Sequence, residues 1–176
     1  MKKNTQTRTF AAPYGWIIRP MTEQDNYEIA QWVYDGVYAF YNCTVIPPSP
    51  QNPDKFIGNS FAVENAAGEL IGHFCFGEDA QIPTVEEAVY SPGYLDFGLG
   101  MRPDLCGQGL GASFVQTGLS FGTETYHTGR FRLSVAQFNE RAIRVYEKAS
   151  FIKVREVTYS HLKNRFFIMI KEENNV

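Results

Sequence analysis

The sequence predicts a single α/β domain built around one mixed sheet, and three observations carry that prediction. Strand-like runs rich in β-branched and aromatic residues alternate with runs whose apolar residues recur at helical spacing. A glycine turn (Gly107, Gly109 and Gly111 in "CGQGLGASF") separates one strand-like run from the longest helical one. Two further strand-like runs, "FIKVREVTYS" and "NRFFIMIKE", close the chain as an antiparallel pair, with no linker or internal repeat before them. A chain of 176 residues is long enough to bury a core without staples.

Each element has its own signal. "YGWIIRP" reads as a short strand ending at Pro20. A helix then starts at Thr22, a good N-cap, with Glu23 and Asp25 where the macrodipole favours acids. It should continue through "NYEIAQWVYDGV", because Ile29, Trp32 and Val33 form one apolar stripe. "YAFYNCTVIPPSPQNPDKF" is too rich in proline for a helix or central strand and reads as a long surface loop. "NSFAVEN" and "LIGHFCFG" form a hairpin around "AAGE". After the irregular stretch "EDAQIPTVEEAVYSPG" comes the strand "YLDFGLGM". Leu110, Phe114, Gly118 and Phe121 recur at helical spacing, so a helix runs from the glycine turn to about Tyr126. "RFRLSV" is a strand, "NERAIRVYEKAS" a helix, and the tail "ENNV" is expected to fray.

Composition narrows the chemistry. A formal net charge of −3 argues against a nucleic-acid partner, which selects basic surfaces, and faintly favours a cationic one. The chain has no apolar run long enough to span a membrane and no apolar segment behind its N-terminal lysines, so no membrane is expected. Cys43, Cys75 and Cys106, like His73, His127 and His161, are scattered rather than set at metal-ligand spacing. That predicts no metal, no disulfide framework and a reduced, cytoplasmic setting. A homodimer is left open as the assembly.

The glycine turn is the first chemical motif. A strand, a glycine turn and a helix present first-turn N–H groups and the positive helix end to an anion. No Lys-Ser or Lys-Thr follows the glycines, which excludes a Walker loop. A dinucleotide fingerprint fits only as the GxGxxA variant ending at Ala112, and it would start after residue 100 instead of opening an early βαβ unit. The second motif is the spacing of Asn139 and Tyr146, two helical turns apart on one helix face. Taken alone, these are an N-cap and a core aromatic.

Together the two segments resemble the GNAT superfamily of acyl-CoA N-acyltransferases. "LGMRPDLCGQGLGASF" is similar to that family's [Q/R]-x-x-G-x-[G/A] turn, with Gly109 and Gly111 as its glycines and Cys106 where Gln or Arg is usual. "NERAIRVYEKASF" resembles its Asn-x-x-Ala-x-x-x-Tyr-x-x-x-G-Phe helix, with Ser150 in place of the glycine. "IRPMTEQD" resembles its first strand and helix start, so the likeness spans roughly residues 16 to 171.

The resemblance implies a mostly antiparallel central sheet with a splayed central strand pair and flanking helices. It implies acetyl-CoA as co-substrate, its pyrophosphate resting on backbone N–H groups of Cys106, Gly107, Gly109, Leu110, Gly111 and Ala112. Cys106 itself reads as a small residue packing the turn, with a redox-sensing thiol as the less favoured alternative. Gly98 and Gly100 suggest a strand that bulges and parts from its neighbour. The resemblance puts the pantetheine arm on the backbone of Leu99 and Met101, with the Met101 N–H facing the thioester carbonyl. It gives Asn139 a contact to the cofactor arm and makes Tyr146 the acid that protonates the departing thiolate.

The implied reaction is direct attack by a primary amine in a ternary complex. At pH 7 an α-amine is roughly 15% neutral but a lysine only about 0.04%, so a lysine-like acceptor needs a base. Asp96 is the best-placed carboxylate for that role, ahead of Glu78 and Glu86. The acceptor would lie against Trp32, Tyr34, Asp35, Tyr38 and Tyr41, where aromatic faces and one acid suit a cation. A protein N-terminus, a polyamine or an aminoglycoside-like amine all fit. A catalytically idle acyl-CoA sensor is the alternative, and the retained Tyr146 weighs against it.

Overall fold

The computed structural model describes residues 10–11, 13–43 and 59–172. The proline-rich part of the predicted loop and the tail "ENNV" lie outside the described residues. The strands are β1 (Phe10–Ala11), β2 (Ile17–Pro20), β3 (Ser60–Glu64), β4 (Leu70–Phe76), β5 (Leu95–Met101), β6 (Phe131–Ala136), β7 (Ile152–Thr158) and β8 (Arg165–Lys171). They form one sheet in the order β1-β2-β3-β4-β5-β6-β8-β7, antiparallel throughout except for the pair β5 and β6. The helices are α1 (Glu23–Ile29), α2 (Gly111–Tyr126) and α3 (Glu140–Lys148).

Strand alternation divides the sheet into two faces. Phe74, Phe76, Phe97 and Phe131 point to one face and are fully buried with Phe114 of α2. Each such side chain contributes about 1.5–3 kcal/mol relative to exposure. The other face carries two smaller apolar clusters. One surrounds Trp32 with Met21, Ile29, Ala62 and Leu70, and the other surrounds Phe166 with Val89, Ala136, Val157 and Ile168.

The start of α1 follows its predicted cap. Thr22 Oγ1 accepts from the Asp25 amide at 3.2 Å, while Asp25 Oδ2 accepts from the Thr22 amide at 2.7 Å. The helix ends at Ile29, however, and does not run on to Val37 as its apolar spacing predicts. Trp32 turns inward to fill the smaller cluster, which leaves Val33 67% exposed. Part of the predicted loop is also ordered as a 3₁₀ helix over Gly36–Cys43. The Asn42 side chain holds it by pairing with the backbone of Tyr34, donating at 3.0 Å and accepting at 2.7 Å.

Candidate active site

The site is built where β5 leaves β6. Their parallel pairing consists of Leu95↔Phe131 and Asp96↔Arg132, after which the two strands diverge. Two hydrogen bonds fix which way the β5 backbone faces. The Leu95 amide donates to Arg130 at 2.9 Å on the β6 side, and the Arg102 amide donates to Ile71 at 2.9 Å on the β4 side. Alternation along the strand therefore turns the N–H groups of Leu99 and Met101 into the opening between β5 and β6. The Met101 carbonyl faces the same way and accepts from the Tyr34 hydroxyl at 2.9 Å. Such an opening offers backbone donors and acceptors to an added strand-like ligand.

Gly98 and Gly100 serve this opening differently from the predicted bulge. β5 pairs with β4 in unbroken register from Phe97↔Phe76 to Met101↔Gly72. A Cβ on Gly98 would stand 2.6 Å from Cys75 Sγ, and one on Gly100 would collide with the His73 ring. The glycines thus let two side chains of β4 lie flat across β5. Sequence reasoning passed over His73, because this cross-strand register is not a local property of either run. Burial lowers the His73 pKa to about 4, so the ring is neutral at pH 7. Among the described residues neither ring nitrogen has a hydrogen-bond partner.

From the opposite side α3 brings in Tyr146, which is buried and packs edge-on against Phe151. Burial holds its phenol well above the usual range, with smaller contributions from Tyr41 and Cys75. No hydrogen bond to the hydroxyl is found among the described residues. Asn139 caps α3, accepting from the Ala142 amide at 3.1 Å, and its amide donates to the Tyr41 hydroxyl at 3.0 Å.

Asp96 does not fit the base role assigned to it. Its carboxylate is buried and accepts from Arg132 Nε at 2.6 Å, Arg132 Nη2 at 2.8 Å and Gln81 at 2.7 Å. Both carboxylate oxygens are thus engaged by the bidentate guanidinium and the Gln81 amide, an arrangement suited to holding β5 against β6. Glu86 is similarly occupied by the Thr158 amide and hydroxyl at 2.7 and 2.9 Å, whereas Glu78 is exposed.

At the glycine turn, Gly107 and Gly109 adopt φ values of +78° and +82°, which favour glycine. Leu110, the N-cap of α2, makes no side-chain cap, so the first-turn N–H groups face outward past the open space at Gly109. Gly111 and Ala112 begin the helix, and Gly111 packs beneath Val145 of α3. Cys106 Sγ lies 3.6 Å from the carbonyls of Met101 and Arg102. Burial pushes its thiol up, which lowers its thiolate character and weighs against the redox-sensing alternative. Arg141, which sequence reasoning did not single out, sets its guanidinium against Gly107. A clue lay in α3 itself, where Arg141 has no acid at i±3 or i±4.

Gly109→Val tests the turn. A β-branched residue at this φ is strained and would stand among the outward N–H groups. Coenzyme A affinity, measured by calorimetry on folded variant, should fall at least about tenfold, since charge-assisted backbone hydrogen bonds are lost. Unchanged affinity would show that the glycines serve the turn alone.

The predicted acceptor wall proves to be partly occupied. Tyr34 is bonded to Met101, Tyr41 to Asn139, and the Tyr38 ring lies 4.4 Å under the Arg141 guanidinium. Trp32 is buried 6.4 Å from the His73 ring, while Asp35 is exposed. The structure thus brings Tyr34, Tyr38 and Tyr41 together with α3 at the border of the opening.

Residues 16–152 match the profile of the acetyltransferase (GNAT) domain. The chain belongs to the GNAT acetyltransferase family. No curated protein matches this acetyltransferase by sequence. Among solved structures, an acetyltransferase (GNAT family) from Bacillus anthracis is similar in fold, with a TM-score of 0.65 at 14% identity, covering 94% of this chain and 97% of the other. Aminoglycoside acetyltransferase AAC(6')-Ib, solved with paromomycin and acetyl-CoA, gives 0.66 at 19% identity over 90% and 93% of the two chains. A spermidine N-acetyltransferase SpeG chimera from Vibrio cholerae and hSSAT gives 0.61 at 16% identity over 88% and 93%. Among the described residues, no helix is long and apolar enough to cross a membrane.

Proposed function

We propose that this acetyltransferase transfers the acetyl group of acetyl-CoA to a primary amine of a small polycation, by direct attack in a ternary complex. The observation that carries this reading is the opening beyond Asp96 and Arg132, where the β5 N–H groups of Leu99 and Met101 are not paired by β6. Leu99 and Met101 pair with the pantetheine arm, and the Met101 N–H steadies the thioester oxygen as charge builds on it. Tyr146 donates its proton to the leaving sulfur. The amine arrives over Gly98 and Gly100, where His73 is free to accept a hydrogen bond from it. An acceptor ammonium first loses its proton to water; the neutral amine then forms the C–N bond as the thioester C–S bond breaks, and the proton shed by the new amide nitrogen returns to the Tyr146 phenolate.

Two proteins of this fold are a spermidine N-acetyltransferase and an aminoglycoside acetyltransferase. In this chain Asp35, Glu78 and Asp79 are exposed, and the 77–80 turn packs on β5 beside Gly98. Both features suit several positive charges.

Acetyl-CoA at 100 times its dissociation constant should stabilise the protein by about 2.7 kcal/mol, or roughly 5–11 °C in a thermal melt. ATP and NAD at equal concentration should do less; a larger shift with NAD would sink the reading. A screen of spermidine, paromomycin and an N-terminal peptide for release of coenzyme A thiol then identifies the acceptor. Binding without turnover of any amine would point to a sensor instead.

A further inference from the structure

We propose that Arg141 supplies the cation of the diphosphate seat, delivering from α3 the side chain that the turn lacks at Cys106. The proposal rests on the coenzyme A reading above and adds a binding residue to it.

The argument begins with an electrostatic mismatch. The uncapped start of α2 carries roughly half a positive elementary charge. A guanidinium placed against the same turn is repelled by that end. Yet Arg141 Nη1 lies only 3.6 Å from where a Cβ would stand on Gly107. The acids nearby answer other cations: Asp104 binds Arg102 at 2.7 Å, and Glu140 faces Arg144 at 3.8 Å. Among the described residues Arg141 has no ion pair. Two positive ends therefore converge on one open turn with no protein anion between them. An added diphosphate removes the repulsion and gains from both.

Packing explains how Arg141 comes to be there. Arg141 and Val145 are four residues apart and share one face of α3. Val145 seats against Gly111, where a Cβ would stand 3.2 Å from its Cγ2, so that face is drawn onto the start of α2. The Tyr38 ring, 4.4 Å from the guanidinium, holds the side chain from the other side and reduces the cost of ordering it. Arginine also offers a planar fork of donors that matches phosphate oxygens better than a point charge does.

The test is calorimetry with two ligands, acetyl-CoA and S-acetylpantetheine, the second lacking the diphosphate. Arg141→Met keeps the apolar stem and removes the charge, so the fold should survive. Its affinity for acetyl-CoA should fall about 10- to 100-fold, the worth of one or more charged hydrogen bonds. S-acetylpantetheine, read by competition, should lose nothing. Adding Cys106→Arg to Arg141→Met should recover much of the lost affinity. An unchanged acetyl-CoA affinity, or an equal loss for both ligands, would show that Arg141 only braces Tyr38 and would overturn the proposal. Failure of the parent protein to bind acetyl-CoA is a different result, and it overturns the coenzyme A reading itself.

Discussion

Tyr146→Phe should lower kcat by about 10²- to 10⁴-fold, the range associated with general acid catalysis. Fold and coenzyme A affinity should change little, because the ring and its packing against Phe151 are kept. A raised phenol pKa looks at first unsuited to an acid, but the partner shifts in the same direction. Burial likewise pushes the Cys75 thiol, on β4 against Gly98, up to about 12. Desolvation raises the proton affinity of a buried thiolate as it does that of a phenolate, so burial does not by itself disfavour the proton transfer. The measurement is kcat at saturating acetyl-CoA and acceptor, with chemistry shown to be rate-limiting. A loss nearer tenfold, with a shifted KM, would make the hydroxyl a positioning group for the thioester. A variant as fast as the parent would remove it from the mechanism.

The glycine turn and the α3 face were legible because their signals are local. Left-handed backbone at Gly107 and Gly109 needs glycine, so the turn announces itself in sequence. Asn139 and Tyr146 share a face by helical arithmetic, and no tertiary information is needed to see it. What was lost depends on distant pairing. Gly98 and Gly100 signalled a departure from an ordinary strand, but the bulge was the wrong cause, since the side chains they accommodate stand on β4. Strand register is a property of the assembled sheet. α1 failed in the same way: Ile29, Trp32 and Val33 satisfy a helical stripe, yet burial of Trp32 in its cluster ended the helix first. The aromatic stretch after it reads as a cage for a cation. Several of those rings are engaged by Met101, Asn139 and Arg141, all distant in sequence.

Asp96→Ala should destabilise the protein by about 3–5 kcal/mol, the cost of leaving a buried charge without its partner. That is a large share of the roughly 5–15 kcal/mol that holds a typical domain folded. Arg132 would keep its bond to the Ser91 carbonyl at 2.8 Å and its place 5.2 Å from the Tyr90 ring, but neither neutralises the guanidinium. Replacing both partners, as Asp96→Ala with Arg132→Met, should recover much of the loss, since no unpaired charge then remains. Urea unfolding of the two variants and the parent measures this directly, and Asp96→Asn supplies a milder variant if the alanine form does not fold. The ion pair also joins β5 to β6 at the last pair before they part, so it anchors the lower edge of the opening. A base and an anchor at this position predict different results. Loss of a base lowers kcat most at low pH, where the acceptor is protonated, and leaves stability nearly intact. Loss of an anchor lowers stability first, and the folded fraction retains its pH profile. An Asp96→Asn protein as stable as the parent but inactive, with normal acetyl-CoA affinity, would return Asp96 to the mechanism as the base.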